Sequence, residues 1–403
     1  MAFALSTCIL FLGFLSITAA KVYQPTPVAI HFVENADPNN LMHLRAGLAN
    51  VRTGSGIAKI AIIGNSKTAG FVGKRQTSFP SYFAARLNAI GIPASTQSVW
   101  GNANWGGKQG LANSSLVDYT NEYNAQLTWS SLKNWSAYGI NGVQYGTLGG
   151  SLISTMGAGG TMSFVPTRTI DQCDVYHVTS PGNGSFAWNF NSDASSVVDS
   201  NDVATTFSKV VVRATPSSSN ILNISWVSGG NVYFTAIACR QSTSPTVEVY
   251  NMGWGASTTT DQYQTTKVWN VPNALRGVAP NLTIIALDTN DYTPGYGPIP
   301  LRNYRANLQA LITASLKTGD CAIVTEIPSA PSRQSYAVQN QYHAVEHAIA
   351  AENNCILFDI TNRWGGTYDT MNAFGWYSDN THGTAEAYSD QGSWMADALM
   401  AVN

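Results

Sequence analysis

Residues 58–68 read AKIAIIGNSKT, an apolar run that stops at Gly64 and passes into Asn65, Ser66, Lys67 and Thr68. A short apolar run ending at a glycine has the length and composition of a strand buried on both faces of a parallel sheet. The next periodic segment, 79–90 (FPSYFAARLNAI), has helical spacing and is closed by Gly91. Three later runs repeat the strand signature: LTIIAL at 282–287, CAIVTEI at 321–327 and CILFDI at 355–360. Helical stretches near 301–317 and 336–352 separate them, and a last one covers about 384–401. Strands alternating with helices predict an α/β fold, a three-layer α/β/α sandwich on a parallel sheet. In such sheets the chemistry lies at the C-terminal ends of the strands. Ser66 and Asn290 each follow a strand, so both belong on that edge.

The middle of the chain has another character. From about 141 to 247 it is rich in Gly, Ser, Thr and Asn, with short β-type runs such as CDVYHV, GSFAWNF, FSKVVVRA, NILNISWV and VYFTAIAC. Spacing of this kind predicts an all-β sandwich. The expected organisation is a signal peptide over 1–20, the α/β domain over 21–140 and 248–403, and the sandwich inserted over 141–247.

Only 11% of the 403 residues are charged, against about 25% in ordinary soluble domains. Ser, Thr, Asn and Gly take their place, which suits an exported, carbohydrate-facing protein. A net charge of -2 without a basic block argues against nucleic acid as a partner. Residues 2–20 form an apolar stretch ending in small residues, read as a secretory signal cut after Ala20. No Lys or Arg precedes it, so an uncleaved membrane anchor is the alternative, and no other segment is apolar enough to span a bilayer. The expected location is secreted, or periplasmic to extracellular. Beyond Cys8 the chain holds Cys173, Cys239, Cys321 and Cys355, which allow three pairings. Cys173–Cys239 with Cys321–Cys355 is favoured because each pair then falls within one domain; free buried thiols are the alternative.

Four segments carry chemistry. A serine hydroxyl is a poor nucleophile until a histidine takes its proton and an acid orients that histidine. Ser66 at a strand end, with Asp379 and His382 three apart near the C-terminus, supplies those residue types. Asn290, in Asp288-Thr289-Asn290-Asp291, can donate to the oxyanion of a tetrahedral intermediate. Asn251-Met252-Gly253-Trp254-Gly255-Ala256-Ser257 offers backbone N–H groups to a ligand. Each segment alone also reads as an ordinary turn. His343-Ala-Val-Glu346-His347 matches the His-x-x-Glu-His pattern of some zinc peptidases, yet the stretch reads as a surface helix with a solvated face.

Together and in order, these segments resemble the SGNH (GDSL-type) hydrolase superfamily, over residues 57–100 and 248–403. The resemblance implies a flavodoxin-like sheet, Ser66 as nucleophile, His382 as base and Asp379 as its orienter. It implies an oxyanion hole formed by Asn290, the Ser66 N–H and a donor among Gly253, Gly255 and Ala256, with Gly101 as a rival. Three letters depart from the family pattern: Asn65 stands for the aspartate of Gly-Asp-Ser, Asp288 for the glycine of Gly-x-Asn-Asp, and Ala256 for a glycine. Ala256 would serve as a backbone donor if its φ is negative. In position, the insert resembles the carbohydrate-binding-like insertion of peptidoglycan and polysaccharide O-acetylesterases. Its aromatics Tyr176, Phe186, Trp188, Trp226 and Tyr233 are better read as core than as sugar platforms. The expectation is therefore a secreted serine esterase, a carbohydrate O-acetylesterase acting on an acylated glycan or another ester, without metal or organic cofactor. An O-acetyltransferase, and a carbohydrate-binding or adhesion protein with a decayed hydrolase domain, are the alternatives.

Overall fold

The computed structural model describes residues 31–70, 77–96, 98–100, 125–131, 135–138, 152–155, 161–166, 168–263, 268 and 270–402. Residues 1–20, read as a signal peptide, and Gly101 lie outside them. The apolar runs read as strands all fall in one seven-stranded sheet. Its order is Val33–Glu34, Ile356–Asp359, Asp320–Thr325, Leu282–Ala286, Ala58–Gly64, Val247–Gly253, Ala94–Ser95. Every pair is parallel except the two-residue Val33–Glu34 edge, which runs antiparallel to its neighbour.

Alternation along the strands divides their side chains between two helical layers. Ile60 and Ile62 join Leu44, Leu48, Phe83, Leu87, Met395 and Leu399 on one face. Ala61 and Ile63 join Leu275, Leu308, Ile312 and Ile349 on the other. The first layer holds helices Met42–Thr53, Phe79–Ala89 and Ala385–Val402; the second holds Val271–Val278, Leu301–Ser315 and Tyr336–Asn353. This is the three-layer α/β/α sandwich.

The sheet's topology selects one place for a site. From Ala58–Gly64 the chain first builds on one side, through Ala94–Ser95 and Val247–Gly253, and then crosses to Leu282–Ala286 on the other. The crevice at the carboxyl end of Ala58–Gly64 is thus the switch point, where open α/β sheets bind ligands.

Between Ala94–Ser95 and Val247–Gly253 the chain forms two antiparallel sheets. One has the order Ser196–Asp199, Ser185–Phe190, Leu222–Ser228, Thr161–Pro166, Ala125–Ser131. The other has Thr206–Ser217, Ile170–Thr179, Val232–Arg240, Leu152–Thr155, Trp135–Tyr138, and Ser98–Trp100 also pairs with Val232–Arg240. Strands ahead of residue 141 therefore pair with strands beyond it. Phe164, Phe186, Phe190 and Ile224 meet Val175, Val212, Phe234 and Ile237 between the sheets. Tyr176 and Phe186 are fully buried, and Trp188 and Trp226 pack against this core. Tyr233 accepts a hydrogen bond from Asn231 Nδ2 at 3.1 Å. At the junction with the parallel sheet, Arg240 Nη2 lies 2.9 Å from Asp174 Oδ1 and its Nη1 3.6 Å from Glu248 Oε1.

Both favoured disulfides are present, Cys173–Cys239 and Cys321–Cys355. Cys173 and Cys239 face each other directly across an antiparallel pair, with Cα atoms 4.0 Å apart. Cys321 and Cys355 extend the parallel register that pairs Ala322 with Ile356. Such bridges fit an oxidising compartment. Among the described residues no helix is long and apolar enough to cross a membrane. The Cys321–Cys355 bridge closes a separation of 34 residues. Replacing both cysteines by serine should therefore lower unfolding free energy by about 3–4 kcal/mol in a denaturant titration. An unchanged midpoint would contradict a formed bridge.

Candidate active site

The turn carrying Ser66 is fixed by small residues below it. Gly64 pairs with Gly253 on one neighbouring strand and with Ala286 on the other. A Cβ at Gly64 would meet Thr68 Oγ1 at 1.9 Å, and one at Gly253 would meet the Ala69 nitrogen at 2.3 Å. The short helix Ser66–Ala69 therefore lies down directly on the strand ends. Asn65 caps it, its Oδ1 accepting from the Lys67 N–H at 2.9 Å. Gly70, at φ 87°, ends it. Ser66 opens the helix, so its own N–H has no intrahelical acceptor.

Ser66 Oγ lies 2.9 Å from His382 Nε2. On the far side of the ring, His382 Nδ1 lies 2.8 Å from Asp379 Oδ2. Asp379 and His382 sit in a bent loop, not on a helical turn, and hydrogen bonds close that loop. Asp379 Oδ1 accepts from the N–H groups of Thr381 and His382, each at 2.7 Å. The Ser378 N–H donates to His382 O at 2.9 Å, and Thr384 N–H to Trp376 O at 2.9 Å. Ala330 N–H donates to Asn380 O at 2.9 Å, pinning the loop to the segment after Asp320–Thr325.

Electrostatics suit a base at this position. Burial pushes the Asp379 carboxyl up, but the hydrogen bonds and charge of His382 more than offset it, bringing it down to about 2. It is thus ionised at neutral pH and accepts, so Nδ1 carries the ring proton and Nε2 presents a lone pair to Ser66. Burial lowers the pKa of His382, against the raising effect of Asp379. The imidazole therefore stays neutral, and able to accept a proton, to below its ordinary pH.

The expected oxyanion donors meet different fates. Asn290 is buried on the short helix Thr289–Tyr292, and its Nδ2 donates to Ser257 O at 2.9 Å. A primary amide has a second hydrogen, which leaves one donor for a ligand. Asp291 ties the opposing segment down, accepting from the Thr259 N–H at 3.0 Å. Gly253 does not fit the donor role: its N–H is spent on Asn251 Oδ1 at 3.0 Å, and its missing side chain is explained by contact with Ala69. Among the described residues neither the Gly255 nor the Ala256 N–H has an acceptor. Ala256 adopts φ 62°, so the condition of a negative φ fails. It holds the left-handed conformation that a glycine takes freely, at a cost of about 1–2 kcal/mol.

Beneath the turn lies a buried polar cluster that the motifs alone do not reveal. Lys67 Nζ donates to Thr289 Oγ1 at 2.6 Å and to Ile327 O at 2.7 Å, and lies 3.8 Å from Glu326 Oε2. Asn65 Nδ2 donates to Glu326 Oε2 at 2.7 Å. Asp288, fully buried, is 3.0 Å from His343 Nε2. Burial and the Asp288 charge push the Glu326 carboxyl up to about 8 despite Lys67. Burial pushes Asp288 up too, but His343 and Lys67 more than offset it and hold its carboxyl well below the usual range. One signal for Glu326 was readable: a carboxylate at the end of the apolar run CAIVTEI.

The His-x-x-Glu-His segment is not a solvated face. His343 and Glu346 are 6% and 0% exposed, because Asp288 and the Tyr304 hydroxyl give them buried partners. Among the described residues two trios are close enough to hold a metal, Asp288 with His343 and Glu346, and Glu34 with His347 and Asp359. The two histidines thus turn to different carboxylates and do not form one ligand set. Hydrogen bonds to Asp288 at 3.0 Å and Glu34 at 2.9 Å engage them.

An NMR titration checks the electrostatics. His382 should have a midpoint below 6.5, and Asp379→Asn, which removes the raising influence, should lower it further. A midpoint above 6.5 would contradict a buried ring.

Residues 223–389 match the model of the GDSL-like Lipase/Acylhydrolase family, a span holding Asn290, Asp379 and His382 but not Ser66. No curated protein matches the chain. A solved structure described as a peptidoglycan O-acetylesterase in action aligns over 91% of this chain and 98% of its own, with a TM-score of 0.63 and 18% identity, a likeness of fold. An acetyl xylan esterase aligns over 37% of this chain and 78% of its own, with a TM-score of 0.31 and 16% identity. A carbohydrate acetylesterase from Sinorhizobium meliloti aligns over 39% and 80%, with a TM-score of 0.30 and 19% identity. The family match over residues 223–389, the sheet order and the shared fold fit an SGNH (GDSL-type) hydrolase and, by class, an ester-bond hydrolase.

Proposed function

We propose that the protein is an exported serine esterase that removes acetyl groups from a glycan through an acyl-enzyme on Ser66. The observation that carries this reading is the continuous hydrogen-bonded line from Ser66 Oγ to His382 Nε2 at 2.9 Å, and from His382 Nδ1 to Asp379 Oδ2 at 2.8 Å.

The steps follow from that line. Ser66 Oγ attacks the ester carbonyl as its proton passes to His382 Nε2. Asp379 stabilises the imidazolium that forms. The oxygen of the tetrahedral adduct takes hydrogen bonds from the Ser66 N–H, the free Asn290 amide hydrogen and the Gly255 N–H. One such donor is worth about 10²–10³ in rate. The imidazolium then protonates the departing sugar oxygen, leaving acetyl-Ser66. Water attacks this ester with His382 as base again, and acetate leaves.

Support for the substrate is coarser than for the chemistry. The likeness to a peptidoglycan O-acetylesterase extends over 91% of this chain, sandwich included, which favours an acetylated polysaccharide. The two disulfides favour a location outside the cytosol. A non-catalytic binding protein would have no need of a neutral histidine held between a serine and a carboxylate.

The test is acetate release from acetylated peptidoglycan and acetylated xylan by the purified protein and by Ser66→Ala. The parent should release acetate from at least one, and Ser66→Ala should lose about 10³-fold or more in kcat. Hydrolysis surviving in Ser66→Ala would overturn the assignment. Acetyl transfer to an added glycan in place of acetate release would make the protein a transferase.

A further inference from the structure

Asn65 stands where the Gly-Asp-Ser pattern has an aspartate, and its surroundings suit the exchange. Its two amide ends face opposite ways. Oδ1 accepts from the Lys67 N–H at 2.9 Å, a bond that an aspartate would also make. Nδ2 donates to Glu326 Oε2 at 2.7 Å, a bond that an aspartate could not make at neutral pH. Glu326 Oε2 is already an acceptor for a second donor, the Thr289 N–H at 3.2 Å. Asn65 is 1% exposed and Glu326 3%, so no solvent stands ready to replace a lost partner. An aspartate at 65 would bring a second anion, besides Asp288, up to the buried Glu326 carboxyl, whose one proton could satisfy only one of the two.

The consequence reaches the nucleophile because Asn65 and Ser66 are adjacent. Glu326 is held from three directions: its N–H by Asp288 Oδ2 at 3.3 Å, its carbonyl by Thr361 Oγ1 at 2.7 Å, and its carboxyl by Lys67 at 3.8 Å. A residue so fixed is a rigid reference point for the turn above it. We propose that Asn65 and Glu326 form a matched donor–acceptor pair, positioning residues that set Ser66 Oγ at hydrogen-bonding distance from His382. This rests on the reading of Ser66 as nucleophile. The pair acts through the turn and touches no substrate.

The test exchanges donor and acceptor. Asn65→Asp should lower kcat by about 10²-fold with little change in KM, because it misplaces the nucleophile and not the ligand. Glu326→Gln keeps an acceptor for Asn65 and should stay within about ten-fold of the parent. The double variant Asn65→Asp/Glu326→Gln restores a donor facing an acceptor, with the polarity reversed. It should recover about ten-fold or more of the kcat lost in Asn65→Asp, a coupling that independent sites do not show. Melting temperatures keep folding separate from positioning, and if Asn65→Asp does not fold, the double variant should fold and turn over. Equal kcat in Asn65→Asp and parent would overturn the pair, as would a double variant no better than Asn65→Asp. Ser66→Ala is run beside them: activity there sinks the nucleophile reading itself, whereas inactivity there without rescue sinks only the pair.

Discussion

Three residues without bulk, Gly253, Gly64 and Ala286, stand side by side on three neighbouring strands, and the site depends on them. Side chains there would keep the helix Ser66–Ala69 off the sheet. A Cβ at Gly64 would fall 2.9 Å from the Ala286 carbonyl oxygen as well as upon Thr68. With the row flat, the turn settles into the switch-point crevice. Its first residue then meets a loop that lies 316 positions later in the chain. Parallel strands make this meeting possible, because successive crossovers return every strand end to one edge.

Settling the turn so deeply buries Lys67, and burial of a cation is costly unless it is paired and hydrogen-bonded. The protein answers with two hydrogen bonds and the nearby Glu326 carboxyl, drawn from the loops after Leu282–Ala286 and Asp320–Thr325. The same contacts knit three strand-end loops into one unit. Charge is limited within it: Glu326 is pushed up to about 8 by burial and by Asp288, so the cluster does not hold two bare carboxylates face to face at neutral pH. His343 supplies the partner that keeps Asp288 ionised. Asp288, which replaces a glycine of the family pattern, thus belongs to a compensated set with His343 and does not signal decay.

Much of this was legible in the sequence because local signals agreed with the fold. The runs at 58–63, 282–287, 321–327 and 355–360 became neighbouring buried strands, since short, mostly apolar runs fit strands covered on both faces. CDVYHV and VYFTAIAC alternate and carry the cysteines, and they pair across one sheet of the sandwich. What stayed hidden was set by partners distant in sequence. His343 and Glu346 read as surface because their buried partners lie about 40 to 55 positions away. Ala256 gave no hint of its φ of 62°, which the fold imposes on an L-residue. Gly253 read as a ligand-facing glycine, and only the contact with Ala69 shows that the helix requires it.

The claim that Ser66 is the residue acylated is tested most directly by mapping the acyl group. The protein would be mixed with p-nitrophenyl acetate, quenched in acid within the first turnover, digested and analysed by mass spectrometry. An acetyl group on the peptide carrying Ser66, absent in Ser66→Ala and accumulating in His382→Ala only slowly, is the predicted result. Acetate released while Ser66 stays unmodified, or an acetyl group trapped on another side chain, would contradict it.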